Sequence, residues 1–357
     1  MARARNRGQL PRKPLRIVSI GGGTGLSTLL RGLKWYAPGV PGLHPWSDPS
    51  ALPMVDITAV VTVSDDGGSS GRLRRDFELV APGDIRNCMV ALSEDSTMMS
   101  RLFQYRFSSG HGLKGHSFGN LFLTALTSIT GDFTHAVRVS SEILAIVGKI
   151  YPVTAANVVL NARLASGATL AGETRISRSR SRIEEVTLDP PDAEPLDQTL
   201  EAIASADLIT FGPGSLFTSV VPNLLVRGIP EAIARSRAVK AYFANLMWQP
   251  GETSDFTVGD HVEAIHRHAR RSLLDYVVVN TGLMRPALLR RYAKERARPV
   301  ELDRERIRSL GVQVLGADLL EQTDMIRHDP AKTAAIVVKL AKAGHRRAAL
   351  REQRRRR

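Results

Sequence analysis

Cysteine is almost absent from this chain, since Cys88 is the only one among 357 residues. A single thiol excludes an internal disulfide framework, and it is typical of proteins that work in a reducing compartment. Cys88 lies among apolar residues of a predicted helix. We therefore expect it to be a small core residue rather than a nucleophile.

Long apolar runs are also missing. No stretch approaches the roughly 20 apolar residues that a membrane-spanning helix requires. The first residues, Met-Ala-Arg-Ala-Arg-Asn-Arg, lack the apolar core of a signal peptide. We therefore expect a cytoplasmic protein with no membrane span.

Acidic residues are scarce at both ends of the chain, whose net charge is +14. Residues 2–13 carry five basic side chains and no acidic one, and residues 345–357 carry seven arginines and one glutamate. The two ends supply 11 of the 14 charges, so the body is nearly neutral. We predict basic disordered tails at 1–13 and 345–357 around a single domain at 14–344. The tails would contact nucleic acid weakly, non-specifically and in a salt-dependent way.

Apolar segments that suit strands alternate along the body with helical patterns. Strands are predicted at 16–20, 57–63, 206–211, 239–244, 274–279 and 312–315, helices at 26–36, 261–272 and 332–343, a largely helical subregion at about 84–150, and a β-hairpin at about 157–177. This alternation predicts an α/β fold with a doubly wound, mainly parallel sheet and helices on both faces. Ligands bind such sheets outside the carboxyl ends of the strands, where the strand order reverses.

The first predicted strand ends abruptly at Gly21-Gly22-Gly23-Thr24-Gly25, and a helical pattern begins at once behind it. A strand, a glycine turn and a helix together present free backbone N–H groups to a phosphate. The spacing matches neither the dinucleotide fingerprint nor the P-loop. The alternative is a tight turn that binds no ligand.

A second glycine turn, Gly212-Pro213-Gly214-Ser215, follows a later strand, and two such turns would suit a diphosphate. The loop behind the next strand supplies amide, carboxylate and hydroxyl groups that could contact a base or a sugar: Asn245, Gln249, Glu252 and Thr253. A plain loop is the alternative for this segment.

Asp65 and Asp66 follow the second strand and precede a Gly-Ser loop. A carboxylate at this place often binds ribose hydroxyls, and two carboxylates could instead hold Mg²⁺ with ligand phosphates. Adjacent residues of an extended chain point in opposite directions, and Asp also stabilises turns, so a purely structural role is the alternative. Ser69 and Arg72 add a hydroxyl and a guanidinium group beside them.

Two helix starts carry further candidates. Asp84 is predicted to be the N-cap of a helix, with Asn87 close behind it. Residues 115–121 open an apolar helix where His116 could contact phosphate or act as an acid or base, with Asn120 beside it. Ser117 as a simple N-cap is the alternative there. No His/Cys cluster has zinc spacing, and no Gly-x-Ser-x-Gly elbow occurs.

Five ordered motifs resemble the YvcK/CofD-like family, and within it the YvcK branch, whose members are called gluconeogenesis factors: 21–27, 63–72, 82–87, 115–120 and 245–253. The resemblance extends from about residue 16 to about residue 342. It implies a Rossmann-like α/β fold and a cytoplasmic protein.

The resemblance implies a UDP-N-acetylglucosamine-binding regulator that supports cell shape and cell-wall synthesis during growth on gluconeogenic carbon sources. Cell-wall regulatory proteins would then be its partners. The CofD branch instead transfers a phospholactyl group from a guanosine diphosphate-linked donor to a deazaflavin. A magnesium-dependent transferase of that kind, with Asp65, Asp66 or His116 as catalytic candidates, is the alternative. Turnover is left open, and a homodimer is expected only because two-fold dimers are common.

The resemblance assigns phosphate binding to Gly22, Gly23, Thr24 and Gly214. It assigns ligand or metal contacts to Asp65 and Asp66, and nucleotide recognition to the loop 245–253. Two further residues are proposed on physical grounds. Tyr292 offers an aromatic face to a base, and Arg327 offers a guanidinium fork to a diphosphate, although both could be ordinary surface residues.

Overall fold

A computed structural model describes residues 13–38, 54–93, 98–179 and 181–355. Most of the predicted N-terminal tail lies outside these ranges. Twelve strands occur within them, here in chain order: β1 (Leu15–Gly21), β2 (Val55–Val61), β3 (Lys149–Pro152), β4 (Val159–Leu164), β5 (Thr169–Ala171), β6 (Ile183–Asp189), β7 (Leu208–Phe211), β8 (Val239–Phe243), β9 (Tyr276–Asn280), β10 (Gln313–Ala317), β11 (Leu320–Gln322) and β12 (Ile326–His328).

Fourteen α-helices occur in the same residues: α1 (Gly23–Leu33), α2 (Gly68–Phe77), α3 (Gly83–Leu92), α4 (Met98–Gln104), α5 (Phe118–Thr130), α6 (Phe133–Ile143), α7 (Glu173–Ser177), α8 (Asp197–Ser205), α9 (Val221–Leu225), α10 (Ile229–Arg235), α11 (Val258–His268), α12 (Pro286–Lys294), α13 (Arg304–Ser309) and α14 (Pro330–Arg355). A π-helical turn, Leu216–Val220, leads into α9. None of these helices is long and apolar enough to cross a bilayer.

The central sheet has seven parallel strands in the order β10-β9-β8-β7-β1-β2-β3. Its order reverses between β1 and β7, as in doubly wound folds. Both strands are buried almost throughout, because helices pack around the sheet and exclude water from it. The predicted α/β fold is confirmed, and each of the six predicted strands is present within two or three residues of its expected bounds.

Smaller elements complete the fold. Within the predicted hairpin at 157–177, β4 pairs with β5, and β6 extends the pair to a three-stranded antiparallel sheet that the sequence did not suggest. The pair β11–β12 forms a second hairpin near the end of the chain. The predicted helical subregion contains α3 to α6, and residues 105–117 separate α4 from α5.

The last helix differs from the prediction. α14 continues to Arg355, so the segment 345–355 is helical where a disordered tail is predicted. Two contacts tie this segment to the sheet: His345 Nδ1 lies 3.1 Å from Asp207 Oδ1, and Arg347 Nη1 lies 3.3 Å from Asp275 Oδ1. Basic composition predicts solvation, but it does not prevent a helix whose inner face meets buried or half-buried carboxylates.

Candidate functional site

The two glycine turns meet where the strand order reverses. The turn after β1 and the turn after β7 lie so close that a β-carbon at Gly25 would come within 2.2 Å of the carbonyl oxygen of Pro213. Gly23 has a φ of +61° and Gly214 a φ of +156°. Residues that carry a side chain rarely adopt these backbone conformations. The N-cap residue of α1, Gly22, offers no side-chain cap, so the N–H groups of its first turn remain available to an anion, apart from the Gly23 N–H that Asp84 accepts.

A cleft of about 520 Å³ opens above this junction. It is lined by most of the residues predicted to bind phosphate or nucleotide: Gly22, Gly23, Thr24, Gly25, Gly214, Ser215, Asn245, Gln249, Tyr292 and Arg327. These residues come from five separate segments of the chain. The structure therefore brings together one half of the predicted site in a single cavity of the size that small ligands occupy.

A chain of hydrogen bonds orders the amide side of the cleft. Asn245 Nδ2 donates to Gln249 Oε1 at 2.8 Å, and Gln249 Nε2 donates to Ser215 Oγ at 2.8 Å. The hydroxyl of Tyr242 lies 3.3 Å from Asn245 Oδ1. The amides are thus held in fixed orientations, which is what recognition of a base edge or a sugar requires.

Glu252 and Thr253 lie beneath this loop rather than in the cleft wall. Thr253 is fully buried and its hydroxyl accepts the Gln249 N–H at 3.1 Å. Glu252 Oε1 accepts hydroxyls from Ser177 and Thr218, both at 3.1 Å, and burial raises the pKa of this carboxyl. Both residues support the loop in this structure.

Tyr292 and Arg327 form the opposite wall. The Tyr292 hydroxyl accepts the backbone N–H of Ile326 at 3.2 Å, which fixes the start of β12 against α12. Arg327 is exposed and has no ion pair among the described residues. Next to it, His328 is half-buried, its buried Nε2 has no partner among the described residues, and burial lowers its pKa to about 4.

Asp84 is not the N-cap of its helix. Pro82 occupies that position, and Asp84 is the second residue of α3. Its carboxyl lies under the first glycine turn and accepts the Gly23 N–H, and a β-carbon at Gly22 would come within 2.5 Å of Oδ2. Burial, with Asp65 nearby, raises the pKa of Asp84 to about 7. The Asp84 carboxyl therefore positions the first glycine turn from below, a role different from the predicted N-cap of α3.

Asp65 and Asp66 contact different elements. Asp65 Oδ1 accepts the Gly67 N–H at 2.8 Å, whereas Asp66 Oδ1 accepts both the N–H and the hydroxyl of Thr174, at 2.8 and 2.7 Å. The described residues contain no group of three or more His, Cys, Asp or Glu arranged for a metal. The arrangement does not fit Mg²⁺ shared by both carboxylates. Asp65 alone is left as a candidate for an ion held together with ligand phosphates, and it is not among the residues that line the cleft.

Three further candidates, Ser69, His116 and Asn120, belong to a buried polar cluster between α2 and α5. Ser69 Oγ lies 3.1 Å from Nδ1 of His116, and Ser70 Oγ accepts from Asn120 Nδ2 at 3.3 Å. Ser117 is the N-cap of α5. Burial, with Arg72 nearby, lowers the pKa of His116. The cluster joins two helices and does not line the cleft.

Two other predicted residues lie outside the cleft of the glycine turns. Arg72 donates to the carbonyl of Lys114 at 3.0 Å near the surface. Asn87 accepts from Arg86 Nη2 at 2.6 Å and lines a separate cavity beyond α1.

Glu173 is a cleft residue that sequence reasoning missed. It begins α7, lines the cavity beside Gly22, and its Oε2 is buried without a partner. Burial and the neighbouring Asp84 raise its pKa well above the ordinary value. No sequence motif identifies Glu173, because it reaches the cleft only through the short helix α7, which follows the hairpin β4–β5. The tripeptide Gly-Glu-Thr, which recurs at 172–174 and 251–253, was the only available hint.

Comparisons with known proteins agree with this architecture. Residues 17–320 match the family model described as 2-phospho-L-lactate transferase CofD. The gluconeogenesis factor of Bacillus subtilis is 45% identical over 336 residues, which are 94% of this chain and 99% of that protein. The gluconeogenesis factor of Halalkalibacterium halodurans is 43% identical, over 91% of this chain and 96% of its own. A crystal structure of a protein from Bacillus halodurans superposes with a TM-score of 0.84 at 43% identity, and the match covers 91% of this chain and all of that one.

Proposed function

The chain belongs to the CofD family, among relatives named gluconeogenesis factors, and we propose that it binds UDP-N-acetylglucosamine in the cleft above its two glycine turns. The junction of these turns is the observation that carries the proposal. At this junction, unsatisfied N–H groups of α1, the ordered amides of Asn245 and Gln249, and the exposed Arg327 all line one cavity.

The parts of the cleft suit the parts of such a ligand. The α1 N-terminus and the backbone at Gly214 would bind the diphosphate, with Arg327 as its countercharge. Tyr292 would offer its ring to the base, and Asn245 and Gln249 would hydrogen-bond a base or sugar edge. In this proposal the protein is a cytoplasmic regulator that contacts cell-wall regulatory proteins in response to ligand binding. It does not convert the ligand into a product. A homodimer stays a prediction.

Replacing Arg327 tests this assignment. We expect Arg327→Gln to weaken UDP-N-acetylglucosamine binding by at least tenfold, because a charge-assisted contact to the diphosphate is lost. The fold should be unchanged, since the side chain is exposed. Isothermal titration measures the affinity, and Arg290→Gln on the exposed side of α12 is the matched control. Equal affinities for both variants would contradict the assignment.

A second candidate function is a magnesium-dependent transferase acting on a nucleoside diphosphate-linked donor. It is favoured by the matched family model and by the carboxylates under the first glycine turn. Asp65 and the ligand phosphates would hold Mg²⁺, which would neutralise charge on the leaving phosphate. Asp84 would keep the turn in place beneath them.

Asp65→Asn separates the two functions. If Mg²⁺ binds at this carboxylate, we expect the ion to strengthen nucleotide binding in the unmodified protein and to have no effect in the variant. Asp76→Asn, an exposed aspartate on α2, is the control that should keep any magnesium effect. Parallel titrations with and without Mg²⁺ provide the measurement. A magnesium effect that survives in Asp65→Asn would exclude Asp65 as the ligand.

A further inference from the structure

A second cavity of about 520 Å³ lies on the other side of the α1 N-terminus. Its polar lining consists of Thr24, Ser27, Arg31, Arg86, Asn87 and Gln104. Thr24 also lines the cleft of the glycine turns. The two cavities are therefore neighbours that share one wall, and no carboxylate of the described part of the chain lines the second one.

Arg86 is the central cation of this cavity, and most of its hydrogen-bonding capacity is unused. Within the described residues its one hydrogen bond runs from Nη2 to Asn87 Oδ1, at 2.6 Å. The buried Nε has no partner there, and no carboxylate comes within ion-pair distance. A guanidinium group has five N–H donors and is costly to bury unpaired, so an anion is the missing partner.

The surroundings hold this guanidinium in place. The side-chain stem of Arg86 packs on Gly119, where a β-carbon would come within 2.8 Å of its Cδ and of the carbonyl oxygen of Phe103. A side chain at that position would displace the arginine. The groove between α3 and α5 thus fixes the stem, which directs the charged end to the cavity.

The electrostatic balance of the cavity favours an anion. Arg31 is exposed and has no ion pair among the described residues. Burial lowers the pKa of Arg86, and the nearby Arg106 lowers it further. Asp84 and Asp65 raise the pKa of Arg86, but neither of them lines the cavity. Among the residues that the structure describes, two arginines therefore line this space and no carboxylate does.

We propose that this cavity is a second ligand site, which binds the phosphate or carboxylate group of a small metabolite between Arg86 and Arg31. The metabolite is separate from the nucleotide. Since Thr24 lies in both walls, the two ligands would sit side by side across the start of α1. The inference goes beyond nucleotide binding and does not require it, because the lining residues other than Thr24 belong to the second cavity alone.

Titration of the full-length protein with inorganic phosphate tests the proposal. We expect one binding site at low ionic strength that persists when UDP-N-acetylglucosamine is saturating. Arg86→Met keeps the packed stem but removes the charge, and it should weaken phosphate binding at least tenfold. Arg31→Met, at an exposed position that does not endanger folding, should weaken it several-fold. Arg75→Met, an exposed arginine of α2, should leave it unchanged.

Three results would overturn the proposal. The first is an absence of phosphate binding, and the second is an affinity that Arg86→Met and Arg31→Met leave unchanged. The third is displacement of phosphate by the nucleotide, which would place the anion on the glycine turns. The Arg327→Gln variant distinguishes the two proposals, because it should weaken nucleotide binding and leave phosphate binding unchanged. Failure of UDP-N-acetylglucosamine to bind, with phosphate binding still sensitive to Arg86, would refute only the nucleotide proposal.

Discussion

A Gly25→Ala variant should lose at least about 2 kcal/mol of unfolding free energy and most of its nucleotide affinity. The added methyl group would lie 2.2 Å from the carbonyl oxygen of Pro213 and 2.7 Å from Cα of Gly214. These are backbone atoms of the neighbouring turn, so the two turns must separate. Overpacking of this kind costs about 3 kcal/mol, which exceeds the roughly 1 kcal/mol that alanine gains over glycine inside a helix.

Gly21→Ala is the matched control, since it adds the same methyl group in the same segment. Its nearest neighbour would be Cβ of Leu26 at 3.6 Å, an ordinary contact, and we expect nearly unchanged stability. Urea unfolding gives the free energy of each variant, and titration with UDP-N-acetylglucosamine gives its affinity. A Gly25→Ala protein as stable as Gly21→Ala would mean that the turns do not meet as described.

The second large effect is a dependence of stability on pH that originates at Asp84. Its pKa is about 7 in the folded protein and 3.8 in the absence of perturbation. The folded state therefore holds a proton that the unfolded state releases, and stability falls as pH rises from about 4 to about 7. The contribution of Asp84 to the free energy of unfolding is fully present below the unperturbed pKa of 3.8, and it is lost above the folded-state pKa of about 7. The full effect corresponds to roughly 4 kcal/mol.

Asp84→Asn removes this dependence and keeps an oxygen that can accept the Gly23 N–H. We expect the variant to be more stable than the unmodified protein at pH 8, by up to about 4 kcal/mol, with a smaller gain at pH 5. Asp192→Asn, at an exposed position, should show no such gain. Urea unfolding across pH 5 to 8 measures the difference. A gain that does not grow with pH would show that Asp84 ionises normally.

The main parts of the fold could be predicted from the sequence, because each buried parallel strand is a short apolar run with a glycine or polar turn behind it. β1 and β2 are examples, and their turns meet at the expected end of the sheet. β6 was missed because the exposed pair Glu184 and Glu185 interrupts its pattern, so it has neither a continuous apolar run nor a strict alternation. The helical end of α14 was missed because its contacts are made to distant carboxylates.

The candidate site was predictable where backbone geometry defines it and less so where side chains from distant segments do. The glycine turns and the Asn245–Gln249 loop carry their own local pattern. In contrast, Glu173 reaches the cleft through a helix behind the hairpin, and only tertiary packing places Asp84 beneath Gly23. The sequence leaves open whether Asp65 and Asp66 share one site or point in opposite directions, and tertiary packing decides it, because Thr174 engages Asp66 separately.

The most direct test of nucleotide binding is isothermal titration of the full-length protein with UDP-N-acetylglucosamine, GDP and NAD, each with and without Mg²⁺. We expect UDP-N-acetylglucosamine to bind one site with micromolar or tighter affinity, at least tenfold more tightly than GDP or NAD. Preference for GDP that is strengthened by Mg²⁺ would contradict the account and would indicate a transferase instead.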